Sequence, residues 1–266
     1  MKPDDLNPDE ECLDVDVFWS MRSPYCYISL DRCLELQRKY YLNLNLKIAY
    51  PIAIKDTGWF EAAKSMKYRL PYQNIDIFRT AAFHGVQMVY PKPDPVAQSP
   101  SKDSPYGEIL PFGGLGAKLD EGEQPDIKVL VRTAVGAERM GKGWEYLNQV
   151  MRLVWNGQKV PWNANNYAHV RDAINAAGID ADALLKDIEA DREKYDRWVQ
   201  ENMDLQLTND SAHAGVPCFV FRGEPFFGQD RMGQLVWRLK QYGLKERPDY
   251  EPTLRPDMAP DFWISD

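Results

Sequence analysis

The chain has 266 residues, 44% of them hydrophobic and 27% charged, with a formal net charge of −8. That length accommodates one large domain or two small ones with a full apolar core, and an acidic balance without a basic stripe argues against a nucleic-acid partner. No run approaches the ~18 apolar residues that a membrane helix needs, so no membrane partner is expected.

The start, MKPDDLNPDEECLDVD, is acidic and lacks the apolar core of a secretory leader. Leu13 to Trp19 alternates and is rich in Val and Phe, which predicts a strand. Ser23-Pro24 then opens a helix, because a proline in the first turn loses no hydrogen bond. Tyr27, Leu30 and Leu34 repeat at helical spacing, so this helix runs to about Lys39. Asn45 to Ala53 reads as a second strand.

Helical spacing dominates the middle, with segments at Tyr72–Phe83, Ile127–Met140, Gly143–Asn156, Asn166–Ala177 and Asp180–Leu207. A Pro- and Gly-rich stretch, Tyr90 to Gly116, interrupts them and is too long for an ordinary connection. It reads as a lid over a site or as a mobile loop. After Gly215 the pattern returns to strands, Pro217–Phe221 and Pro225–Gly228, joined by a Gly223-Glu224 turn. Asp230 is expected to cap a last helix, Arg231 to Tyr242. The order is β-α-β, a helical block, then β-β-α. It describes an α/β domain split between residues 13–58 and 213–245, a helical insertion over 59–212 and a C-terminal extension over 246–266.

Four cysteines (Cys12, Cys26, Cys33, Cys218) are too scattered for a disulfide framework. The three histidines (His84, His169, His213) show no metal-ligand spacing with them. The expectation is a reduced, cytoplasmic protein without a bound metal.

The stretch Ser23-Pro24-Tyr25-Cys26 places a serine at a helix N-terminus and a cysteine three residues on. Ser23 reads either as a helix cap or as a hydroxyl facing a bound thiol. Dithiol exchange needs two sulfurs, and Cys26 has no partner within the motif. Cys33 lies two helical turns away, about 10.5 Å of rise, too far for a disulfide. A Cys26–Cys218 pair stays open.

Four motifs carry a resemblance that spans roughly Val15 to Leu244: Ser23-Pro24-Tyr25-Cys26-Tyr27; Arg69-x-x-Tyr72-x-x-x-Asp76-x-x-Arg79; Gly215-Val216-Pro217-Cys218-Phe219; and Phe227-Gly228-Gln229-Asp230-Arg231. In this order they resemble the DsbA-like superfamily, and within it the group of 2-hydroxychromene-2-carboxylate isomerases and kappa-class glutathione transferases. The resemblance implies a thioredoxin-like fold with a large helical insertion, glutathione as the cofactor, and a homodimer. It implies that Ser23 holds the glutathione thiolate. It also implies that Val216 and Pro217, as a cis-proline turn, and Phe227, Gly228, Gln229 and Asp230 bind the rest of that molecule.

The thiolate role is physically affordable. Lowering a thiol pKa by about two units takes about 2.7 kcal/mol. A helix N-terminus supplies up to ~2 kcal/mol and a hydrogen bond to a charged acceptor about 1.5–3 kcal/mol.

Lys55, Lys64 and Arg69 follow the second strand and are candidates to neutralise a carboxylate or enolate of the substrate, Lys55 or Arg69 alternatively the glycyl end of glutathione, whereas Lys67 reads as a solvated face. The family often has Gly-Asn where this chain has Gly58-Trp59, so Trp59 is either an apolar wall of the substrate site or core. Cys218 stands where relatives have threonine and, like Cys26, reads as a small buried residue.

The leading expectation is a glutathione-dependent cis–trans isomerase acting on an aromatic catabolite or another electrophilic small molecule. A glutathione transferase, a thiol oxidoreductase using Cys26 and a non-catalytic binder of glutathione are the alternatives.

Overall fold

The computed structural model describes residues 12–55, 69–99, 118–119, 124–155, 157, 160–208 and 215–253. Strand β1 (Leu13–Trp19) and helix α1 (Pro24–Lys39) lie where the sequence predicts. Strand β2 is Leu42–Ile48, earlier than the expected Asn45–Ala53. Its leucines and isoleucine alternate inward with Asn43 and Asn45 outward, the period of a half-buried strand. Pro51 ends the extended run. It lacks an N–H, and its carbonyl accepts from Ile54 and Lys55 to start the short helix α2 (Ile52–Lys55).

The helical part comprises α3 (Arg69–Phe83), α4 (Pro125–Arg139), α5 (Gly143–Trp155), α6 (Ala164–Ala176), α7 (Ala181–Ala190) and α8 (Arg192–Leu207). Two two-residue strands, β3 (Gln98–Ser99) and β4 (Lys118–Leu119), pair antiparallel between α3 and α4 in the chain. The long helix expected over Asp180–Leu207 is two helices. Asp191 closes α7 and its carboxylate accepts the Lys194 N–H at 3.0 Å, capping α8. The chain ends its fold with β5 (Cys218–Phe221), β6 (Glu224–Phe227), a 3₁₀ turn at Gln229–Arg231 and α9 (Met232–Gln241).

The main sheet runs β2-β1-β5-β6, with β1 parallel to β2 and antiparallel to β5, and β5 antiparallel to β6. One continuous apolar core joins the sheet to the helices inserted between β2 and β5. Trp19 on β1 is fully buried, donates its indole N–H to the Met151 sulfur at 2.9 Å and meets Trp144 edge-on. Trp155 donates to the Met21 carbonyl at 3.1 Å and stacks on Tyr27. Helix α5 is thereby fixed against the first strand and the first helix. Large aromatics buried with their polar atom bonded contribute both area and a satisfied donor.

The described part of the C-terminal extension packs on its own chain. Tyr41 N–H donates to Lys245 O, and Arg247 N–H to Lys39 O. Glu35 of α1 accepts from Tyr250 Oη, from the Thr253 N–H and from the Thr253 hydroxyl.

Candidate active site

The strand register brings four of the segments with predicted residues to one end of the sheet. Trp19, the last residue of β1, pairs with Ile48, the last of β2. Phe18 pairs with Cys218, the first residue of β5, and Cys218 pairs with Phe227, the last of β6. The segments leaving this end therefore carry Ser23, Val216-Pro217, Phe227–Asp230 and Lys55. The Gly228 N–H donates to the Pro217 carbonyl at 2.9 Å, tying two of these segments together. The Val216–Pro217 bond is cis, the form that the resemblance implied, and so is Lys92–Pro93.

Ser23 is the N-cap of α1 and its Oγ accepts the Cys26 N–H at 3.3 Å. Pro24 occupies the first helical position, and no acidic residue lies in the first turn. The positive end of a 16-residue helix thus stands at Ser23 without an acidic residue of its own first turn. Cys26 is fully buried. Burial pushes its thiol up to about 12, against a smaller pull from the Ser20 backbone and the Ser23 hydroxyl. Burial also pushes Cys218 up to about 11 and raises Cys33. All four cysteines are free.

Phe227 is exposed and Asp230 projects outward, ion-paired to Arg231 at 3.1 Å. Gly228 has φ +102°, and an added Cβ would stand 2.5 Å from Asp230 Oδ1. Asp230 does not cap the last helix, contrary to expectation. It lies inside the 3₁₀ turn, and α9 starts at Met232 without a side-chain cap. The carboxylate folds back over Gly228 instead, which only a residue without a side chain permits. Gln229 is buried, with its carboxamide oxygen held by Arg32.

Lys55 ends α2, half-buried, and desolvation lowers its pKa. Arg69 is the first residue of α3. Trp59 and Lys64 lie outside the described residues, as do 56–68 and 100–117, which include much of the expected Pro- and Gly-rich segment.

Other polar groups that sequence reasoning did not assign flank Ser23. Tyr25 donates to Asp76 at 2.8 Å, and Arg79 bonds both Asp76 and the Tyr72 hydroxyl. The Tyr72-x-x-x-Asp76-x-x-Arg79 spacing, one helical face, was the legible signal for this cluster. Arg22 forms a two-pronged pair with Asp94, and Trp162 donates to the Pro93 carbonyl. These contacts hold the start of the 90–99 segment beside the first loop. An open depression of 590 Å³ between α4, α6, α7 and α8 holds none of the predicted residues, and its Arg171 and Arg192 are paired with Asp182 and Glu189.

Among the described residues, no group of three or more His, Cys, Asp or Glu is arranged to hold a metal ion, and no helix is long and apolar enough to cross a membrane.

The family model of the DSBA-like thioredoxin domain matches residues 14–240, the span that holds the strand–Ser-Pro–helix unit, the inserted helices and the proline turn. The chain belongs to the DSBA-like thioredoxin domain family. Its fold is therefore α/β, thioredoxin-like, with the helical insertion of the DsbA type. None of the curated proteins matches the chain. Among solved structures, a 2-hydroxychromene-2-carboxylate isomerase superposes with a TM-score of 0.57 at 18% identity, over 86% of this chain and 95% of that one. A probable DsbA oxidoreductase from Streptomyces coelicolor superposes with a TM-score of 0.53 at 14% identity, over 90% of this chain and 92% of that one.

Proposed function

We propose that this member of the family is a glutathione-dependent enzyme, with cis–trans isomerisation of an aromatic catabolite as its chemistry and glutathione transfer as the alternative use of the same site. The observation that carries the reading is Ser23. It is a hydroxyl at the N-terminus of α1, where a dithiol enzyme needs a sulfur, and its neighbour Cys26 is buried and held protonated.

The residues present fit glutathione. Ser23 and the helix end suit a thiolate. Val216 stands two residues ahead of the β5 ladder, in line for strand-like pairing with a peptide. Asp230 offers a carboxylate to an ammonium. When bound, glutathione supplies a thiolate that adds to a conjugated double bond and, in isomerisation, leaves again with no net oxidation. Ser23 lowers the thiol pKa by donating to the thiolate. Lys55, made less basic by burial, and Arg69 are the cations for a substrate carboxylate or enolate oxygen. A homodimer is part of the proposal.

The oxidoreductase reading has less support. It needs a reactive thiolate, and Cys26, Cys33 and Cys218 are all buried with raised pKa values.

Ultraviolet difference titration of bound glutathione tests the proposal. A thiol pKa well below 8.5 in the wild type, returning toward that value in Ser23→Ala, is expected. Absent binding, or a normal titration in both proteins, overturns it.

A further inference from the structure

We infer that Arg32 is a positioning residue for the Gln229–Asp230 turn, the segment that the glutathione reading sets against the γ-glutamyl end of the ligand. The inference rests on the glutathione reading above. Arg32 stands on the buried stripe of α1, one turn from Ile28 and one from Leu36. Its residue is only 5% exposed. Nη1 donates to the Gln229 carbonyl at 3.2 Å and Nη2 to the Gln229 carboxamide oxygen. Nε is buried without a partner.

No carboxylate comes within ion-pair distance of Arg32 among the described residues; beside burial, the groups that act on it are the Cys33 thiol first and the Asp230 carboxylate second. Burying an ion without a paired counter-charge costs several kcal/mol. A leucine or methionine between Ile28 and Leu36 would fill the stripe at no such cost. The guanidinium remains a cation at neutral pH, although burial brings its pKa down to about 10. His84 adjoins the same Gln229 side chain, its Nδ1 buried and without a partner. Burial first, and then the Arg32 charge, hold its pKa down at about 4, so the ring is neutral.

A single buried cation therefore stands behind the turn, and Asp230 stands exposed in front of it. Two hydrogen bonds fix Gln229 from below, which sets the direction in which the next residue, Asp230, leaves the turn. An α-amino acid end carries an ammonium and a carboxylate on one carbon. The ammonium suits Asp230, and the carboxylate suits the field of Arg32.

The test is calorimetric titration of glutathione and of cysteinylglycine, which lacks the γ-glutamyl group, against wild type, Arg32→Met and Arg32→Lys. The wild type is expected to prefer glutathione. Arg32→Met loses glutathione affinity by about tenfold or more, with the dipeptide unchanged. Arg32→Lys keeps the charge without the two-pronged contact and loses part of the preference. Should Arg32→Met fail to fold, the lysine variant alone decides. An unchanged preference in a glutathione-binding protein, or equal losses for both thiols, overturns this inference and leaves the proposed function standing. A wild type that binds neither thiol overturns both.

Discussion

Ser23 Oγ accepts the Cys26 N–H at 3.3 Å, so the proposed thiolate-binding hydroxyl is also the cap of α1. The two roles separate by substitution. Ser23→Ala removes both, and cap loss costs about 0.5–2 kcal/mol. The long bond places the cost at the low end of that range. Ser23→Asp keeps a cap but sets a negative charge against a thiolate. Ser23→Asp is expected to melt within a few degrees of wild type and to raise the bound thiol's pKa more than Ser23→Ala does. Thermal melts with thiolate absorbance check both. A bound thiol with equal pKa in all three proteins would remove Ser23 from the chemistry.

Burial and raised pKa predict the order in which the cysteines react. Cys12 is partly exposed, whereas Cys26, Cys33 and Cys218 are buried. A disulfide reagent on the native protein should label Cys12 alone on the time scale of a free thiol, and the others only as the chain unfolds. Mass mapping after timed labelling reads this directly. Rapid native labelling of Cys26 would put the redox reading ahead of the glutathione one.

Arg22 and Asp94 form a nearly enclosed pair, with side-chain exposures of 10% and 20%. Removing one partner leaves a poorly hydrated charge, which costs more than the pair is worth. Asp94→Ala is expected to lose about 3 kcal/mol in urea unfolding. The double change Arg22→Met with Asp94→Leu should recover most of that loss. Equal stability of the single and double variants would show that the pair is not electrostatically coupled.

Much of this arrangement was legible because it depends on local pattern. The alternation of Leu13–Trp19 and the Ser23-Pro24 start of α1 are read from neighbours in sequence. The four motifs then fix the order of elements. What stayed hidden depends on contacts across the chain. Arg32 and Gln229 are 197 positions apart. The one available sign was a charged residue at a core position of the α1 stripe. The β2 boundaries were misplaced because β-propensity continues through Tyr50, while the missing N–H of Pro51 and its turn decide the end. Asp230 carries a cap-forming side chain in front of a helix, yet the close approach to Gly228 takes it elsewhere. Trp59 and Lys64 remain readings of the sequence alone.

Gly228 offers a test of how the Asp230 turn is built. Its φ of +102° lies where residues with a Cβ rarely go, and the Asp230 carboxylate occupies the space a Cβ needs. Gly228→Ala is expected to cost about 1–3 kcal/mol and to displace Asp230. Glutathione affinity should therefore fall further than that of cysteinylglycine. Urea midpoints and paired titrations measure the two effects. A stable variant with unchanged affinities would mean that the turn tolerates another backbone path.

Glu35 makes acid stability depend on the C-terminal extension. Burial acts to raise its carboxyl, but bonds from Tyr250, Arg38 and Thr253 outweigh it and hold the pKa at about 2 against an ordinary 4.5. The folded state therefore binds the Glu35 proton less readily than the unfolded chain does. Its contribution is fully present above about pH 4.5 and is lost as the pH falls toward about 2. At neutral pH it amounts to about 2–3 kcal/mol. Tyr250→Phe with Thr253→Val removes two of the bonds, so stability at pH 7 should drop and the slope below pH 4.5 should flatten. The backbone N–H of Thr253 survives the double change only if the extension still docks. Urea unfolding at stepped pH separates the outcomes. Parallel stability curves for wild type and variant would show that Glu35 titrates normally and that the extension contributes nothing through it.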